Sequence, residues 1–138
     1  MRTARGFIGT PFHHMGRLPG VGLDCSGVLI CLGRDLGLVA ASFDVPAYTP
    51  GANGVAMLEW CSVHMTPVPR SQMAPGDAVL TITDAEPQHL GIVGDYRNGG
   101  LSIIHASNQA NPPRVIETRL MFSRILRFAA AYRLPGIE

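Results

Sequence analysis

Charge is scarce in this sequence. Charged residues make up 15% of the 138, and the formal net charge is +1. That balance is too even to point to nucleic acid as a main partner. No apolar run approaches the roughly 20 residues that a membrane span needs. The opening run Met1-Arg2-Thr3-Ala4-Arg5-Gly6 has no apolar signal core. Sec-type export is therefore not expected, and synthesis in the cytoplasm is. Cysteine is sparse too. Cys25, Cys31 and Cys61 are an odd count and supply no disulfide framework. Cys31 and Cys61 lie in apolar stretches and read most simply as buried thiols, although they could pair in an oxidising space. Internal repeats and low-complexity tracts are absent. No His, Cys and Asp grouping has zinc-ligand spacing, so neither a metal nor a cofactor is expected.

What is present fits one packed domain over residues 1–138, with a hydrophobic content of 46%. A short opening helix precedes a loop from Pro11 to Gly22. From Cys25 the apolar residues Val28, Leu29, Leu32 and Leu36 recur at helical spacing. Asp24 suits the N-cap of that helix and Gly37 its C′ position. Gly27 and Gly33 each weaken a helix by about 1 kcal/mol against Ala, which suggests close backbone packing. A second helix is expected from Val55 to His64, ending before Pro67. The turn Pro75-Gly76-Asp77 launches a strand over Ala78–Thr83. His89–Tyr96 and Leu101–Ala106 read as a hairpin around Arg97-Asn98-Gly99-Gly100. Further strands are expected over Arg114–Leu120 and Ala129–Leu134. Helices first and antiparallel strands after them argue an α+β fold.

Cys25 stands where chemistry is possible. A helix N-terminus favours a thiolate, and its N–H groups can hold an oxyanion. A small buried cysteine at a helix start is an equal alternative from local sequence. A cysteine nucleophile needs a base, usually His, and the base needs a third group to orient it. His89 and His105 are the candidates, although a lone His in an apolar strand is usually a satisfied core residue. Opposed residues of an antiparallel hairpin have a constant index sum. His89 and His105 oppose each other only if the loop centres on Arg97, as in a loop of Asp95–Gly99 with Gly99 left-handed. Their Cβ atoms would then lie about 5 Å apart on one face. A two-residue Asn98-Gly99 turn would put them on opposite faces. The longer loop is the expectation.

Asp24-Cys25-Ser26-Gly27, Pro75-Gly76-Asp77, His89-Leu90-Gly91-Ile92-Val93 and Ile104-His105-Ala106-Ser107 follow one another in an order and spacing that resemble the NlpC-type cysteine peptidases. These are papain-like cell-wall endopeptidases. The run Gly9-Thr10-Pro11-Phe12-His13-His14-Met15-Gly16 is similar to the branch found in phage and prophage tail modules. Each motif is weak alone, and four in order are strong. The resemblance covers about Ala4 to Leu134. It implies a papain-like fold with N-terminal helices packed on an antiparallel sheet. It implies Cys25 as nucleophile, His89 as general base and His105 as the residue that orients it. Asp77 falls in a structural turn. The substrate implied is the peptidoglycan stem peptide, at a bond between γ-D-glutamate and a diamino acid. Other phage tail proteins are implied as partners and the cell wall as the place of action. The family commonly has a tyrosine where this chain has Phe12, and a phenyl ring cannot donate a hydrogen bond. His13 or His14 could supply that donor, or the Cys25 N–H works with less help. Phe12, His13, His14, Asp24 and Ser26 are thus the candidate substrate or oxyanion residues. Arg17, Arg70 and Arg114 could meet substrate carboxylates, against an ordinary solvated role for each. A tail assembly module with little turnover, or a thiol amidase acting on another amide, are the alternatives.

Overall fold

The computed structural model describes residues 1–45, 61–83, 89–97 and 99–134. The elements are α1 (Arg2–Arg5), β1 (Arg17–Leu18), β2 (Gly22–Leu23), α2 (Cys25–Asp35), β3 (Thr66–Val68), β4 (Ala78–Ile82), β5 (His89–Asp95), β6 (Leu101–Ser107), β7 (Arg114–Arg119) and β8 (Arg127–Arg133). Six strands form one sheet in the order β3-β8-β4-β5-β6-β7, and every neighbouring pair is antiparallel. Helix α2 packs on β5 and β6. The fold is α+β, as the element order suggested.

Local chemistry sets the bounds of α2. The Asp24 carboxylate accepts the Gly27 N–H at 2.8 Å and so caps the first turn. At the other end Gly37 takes φ +70. Its N–H donates to the Arg34 carbonyl at 3.1 Å, and the Leu38 N–H donates to Gly33 at 2.9 Å. This paired closure is a Schellman motif, which a left-handed glycine permits. Between the caps, Ser26 to Gly33 are all buried. The helix is therefore covered on all sides rather than along one stripe. Leu36, expected on that stripe, is its C-cap and is 45% exposed.

Strand alternation sorts the sheet residues onto two covered faces. Leu90, Ile92, Ile104 and Ala106 meet Val28, Leu29 and Leu32 of α2 in the main core. On the other face Val79, Val93 and Ile103 lie under Leu120, Phe122 and Phe128. With both faces covered, β5 is buried from His89 to Gly94. This accounts for its continuous apolar run.

Two features depart from the sequence expectation. Residues 66–68 form an edge strand paired with β8, where the sequence marked Pro67 only as the limit of the preceding helix. Proline is tolerated at an edge, where an N–H need not join the ladder. The loop from Pro11 to Gly22 contains a strand of the small β1–β2 hairpin, which closes just before Cys25. Of the helix expected over Val55–His64, residues 61–64 are helical and 55–60 lie outside the described residues.

The N-terminal segment straps the sheet edge to the start of α2. Val115 exchanges hydrogen bonds with Gly9 and Thr10, and the Phe12 N–H donates to Pro113 at 3.0 Å. The Leu23 N–H donates to Pro11, and the His13 N–H donates to Leu23, each at 3.0 Å. Residues 9–13 thus lie between β7 and the residue two positions before Cys25.

Candidate active site

The two histidines come together. His89 opens β5 and is 5% exposed, and His105 is half-buried in β6. His89 Nε2 and His105 Nδ1 share a hydrogen bond, with the ring centroids 4.6 Å apart and the rings nearly perpendicular at 83°. One nitrogen donates and the other accepts, so each ring fixes the tautomer and tilt of the other. The Thr81 hydroxyl donates to the His89 carbonyl at 3.2 Å and pins the start of the strand.

The hairpin register that achieves this differs from the expected one. The loop is longer than two residues, and Gly99 is left-handed at φ +90, as expected. But Asp95 pairs with Leu101 and Ile92 with Ile104, a register shifted by two residues. The Tyr96 N–H donates to Gly100 at 3.1 Å and the Gly99 N–H to Tyr96 at 2.9 Å, closing the loop further along. Because the shift is even, His89 and His105 keep one face. They are diagonal neighbours rather than directly opposed, a separation that imidazole rings can span. Gly91 follows His89 by two residues on β5. A side chain there would collide with Ile103.

Cys25 is the first residue of α2 and is partly exposed. It packs against the core cluster that contains Leu90 and Ala106, the chain neighbours of His89 and His105. The nucleophile candidate thus lies on the helix that rests on both histidine strands. Cys61 is fully buried in the same cluster. Burial pushes its thiol up to about 12, and Cys25 adds to the shift. Cys31 is buried and its thiol is raised for the same reason. Its Sγ donates to the Arg17 carbonyl at 3.2 Å.

The other candidates divide. Phe12 pairs with Leu23 and packs against the main core. His13 is exposed, and its Nδ1 lies 2.9 Å from the His14 carbonyl. His14 is half-buried, and Ser26 is buried in the first turn of α2. Asp24, expected toward substrate, has both carboxylate oxygens turned to donors of its own chain. Arg17 is not a solvated arginine. It ion-pairs with Asp24 at 3.0 Å and Asp44 at 3.1 Å. Arg70 lies over the Phe122 ring, and Arg114 donates to Pro112. Asp77 is structural in its contacts: it accepts the Ala74 N–H and a bidentate pair from Arg133 at 2.9 and 3.0 Å. The Met15 and Asp44 contacts were not foreseen, because nothing in their spacing marks them. Among the described residues, no three His, Cys, Asp or Glu side chains are arranged to hold a metal, and no helix is long and apolar enough to cross a membrane.

Cys25 at the N-terminus of α2 and the hydrogen-bonded His89 and His105 on β5 and β6, the strands on which α2 packs, make up the candidate site. The NlpC/p60 domain of the peptidoglycan hydrolase SagA has a similar solved structure, with a TM-score of 0.63 and 21% sequence identity. The match covers 96% of this chain and 94% of that one. The chain therefore has the NlpC/p60 fold. Compared with models of known protein families the sequence matches none, and among curated proteins it matches none.

Proposed function

We propose that the protein is a cysteine peptidase that hydrolyses an amide in peptidoglycan stem peptides, at the γ-D-glutamyl–diamino acid bond. The observation that carries the proposal is the His89–His105 hydrogen bond on the two strands under the helix that Cys25 opens. The likeness to a peptidoglycan hydrolase domain supports the substrate class.

In this mechanism His105 holds His89 through Nε2, and His89 Nδ1 takes the Cys25 proton. The thiolate adds to the amide carbonyl, and the backbone N–H of Cys25 meets the oxyanion. Collapse breaks the C–N bond as His89 returns its proton to the leaving amine, leaving a thioester. His89 then takes a proton from water, whose oxygen attacks the thioester carbonyl. Acid and restored thiol are released. Phe12 has no hydroxyl to help at the oxyanion. Loss of one such donor slows related chemistry by roughly 100- to 1000-fold. Carriage in a phage tail, with action at the cell wall, is proposed on the run Gly9–Gly16.

Cys25→Ala is expected to abolish release of stem-peptide fragments from purified peptidoglycan while circular dichroism is unchanged. Mass spectrometry on a defined muropeptide identifies the bond. A Cys25→Ala protein as active as the parent would overturn the proposal. A parent inactive on muropeptide favours the tail-module alternative, and turnover of a different amide favours the amidase.

A further inference from the structure

We propose that Asp24 is a positioning residue: it clamps the 13–17 loop onto the first turn of α2 and so holds the wall beside Cys25 in place. Its effect on turnover rests on the peptidase reading above, but the clamp itself does not. Asp24 is 3% exposed and takes three donors at once. Oδ1 accepts the Gly27 N–H at 2.8 Å and the Arg17 guanidinium at 3.0 Å. Oδ2 accepts the Met15 N–H at 2.8 Å. A helix cap needs only the first of these. The other two reach back across the β1–β2 hairpin to the 13–17 loop, whose own backbone adds the Gly16 N–H to His13 carbonyl bond at 2.8 Å.

That loop has three signs of being held from outside. Met15 takes φ +59, and no other non-glycine residue among those described has positive φ. A side chain disfavours this region, so surrounding contacts must impose it. The Gly16 carbonyl presses so closely on α2 that a Cβ at Gly27 would collide with it. Arg17 is gripped from its other side by Asp44 at 3.1 Å. Met15, Gly16 and Arg17 therefore all converge on Asp24 or its turn. The residue next to Cys25 fixes the loop that carries His13 and His14.

Asp24→Asn separates the cap from the clamp. Asparagine keeps one oxygen for the Gly27 N–H, but its amide nitrogen is a donor and cannot accept from Met15. The variant is expected to keep a cooperative melt. Exchange of the Met15 amide with solvent should rise at least about tenfold, because its acceptor is gone. kcat/KM on muropeptide should fall on the order of 10- to 100-fold, the usual consequence of a misplaced binding wall. Adding Met15→Gly should recover most of that loss, since glycine takes positive φ without being held. A residue that touched substrate would not be rescued in this way. Should Asp24→Asn not fold, Asp24→Ser supplies a cap oxygen for Gly27 and none for Met15, with the same readouts. Unchanged Met15 exchange overturns the clamp. Faster exchange with unchanged kcat/KM, or a loss that Met15→Gly does not restore, overturns the positioning role. A parent inactive on muropeptide defeats the peptidase reading alone, and Met15 exchange still decides the clamp.

Discussion

Three thiols in one small core differ because burial sets their chemistry. The thiolate is the reactive form, and an apolar surround disfavours it. Cys61 is 0% exposed with its thiol pushed up to about 12. Cys31 is buried and raised, with Arg34 only partly offsetting the effect. Cys25 alone of the three is partly exposed. Iodoacetamide at about pH 7 should therefore add a single carbamidomethyl group to the folded protein, on Cys25, and three after denaturation. Intact mass and peptide mapping check this. Equal labelling of Cys31 or Cys61 in the folded state would contradict the burial described above. The same contrast separates the histidines. The buried His89 is oriented by a partner across the sheet, whereas the exposed His13 contacts the carbonyl of its own neighbour. Side-chain type alone does not distinguish these two environments.

At the scale of elements, α2 and the loop before it are packed backbone against backbone. Two effects compete at Gly27. Alanine there would favour the helix by about 1 kcal/mol. Its methyl would meet the Gly16 carbonyl, a backbone atom that cannot swing aside. Overpacking of this kind costs about 1–3 kcal/mol. Gly27→Ala is expected to be net destabilising and to lower Tm by several degrees in a thermal melt, with a loss of activity larger than the loss of folded protein. A raised Tm would show that the loop yields. This join was half legible in the sequence. Asp24 as cap, Gly37 as terminator and the value of a glycine at 27 follow from local rules, because helix ends are satisfied within a few residues. The surface that presses on Gly27 does not, since Gly16 reaches it only through the β1–β2 hairpin. The β5–β6 register shows the same limit. Gly99 and Gly100 are both left-handed, at φ +90 and +79, so two loop closures satisfy the turn chemistry. The one adopted shifts the pairing by two residues and keeps the faces. The histidine pair was legible because face depends on parity, and the opposed partner was not. Strand β3 was missed because its partner β8 lies at the far end of the chain, where no local pattern shows that an edge awaits Pro67.

For the whole molecule, the N-terminal strap joins the far sheet edge to the start of α2, and charge closes it. Arg5 in α1 donates to both Glu117 oxygens, at 3.1 and 2.9 Å, and to Asp95 at 2.9 Å. The Ser102 hydroxyl donates to the same Glu117 at 2.6 Å. Arg5 holds Glu117 below its ordinary value of 4.5, with partial burial opposing and Ser102 helping. A carboxylate lowered in the folded state adds stability that is complete above its unfolded value and fades as pH falls through the lower folded value. The strap should therefore weaken in acid, beginning below about 4.5. Arg5→Gln removes the ionic part at every pH. Its Tm should lie below the parent's at about pH 7, and the gap should narrow as pH falls below about 4.5 and through the lowered folded value, where the parent loses the pairing too. Added salt should narrow the gap at neutral pH, because Arg5 and Asp95 are exposed enough to be screened. Calorimetry across this range reads both effects. A gap independent of pH and salt would mean that Arg5 acts through the packing of its aliphatic stem, and that hydrogen bonding to Val115 and Pro113 alone carries the strap to Phe12 and Cys25.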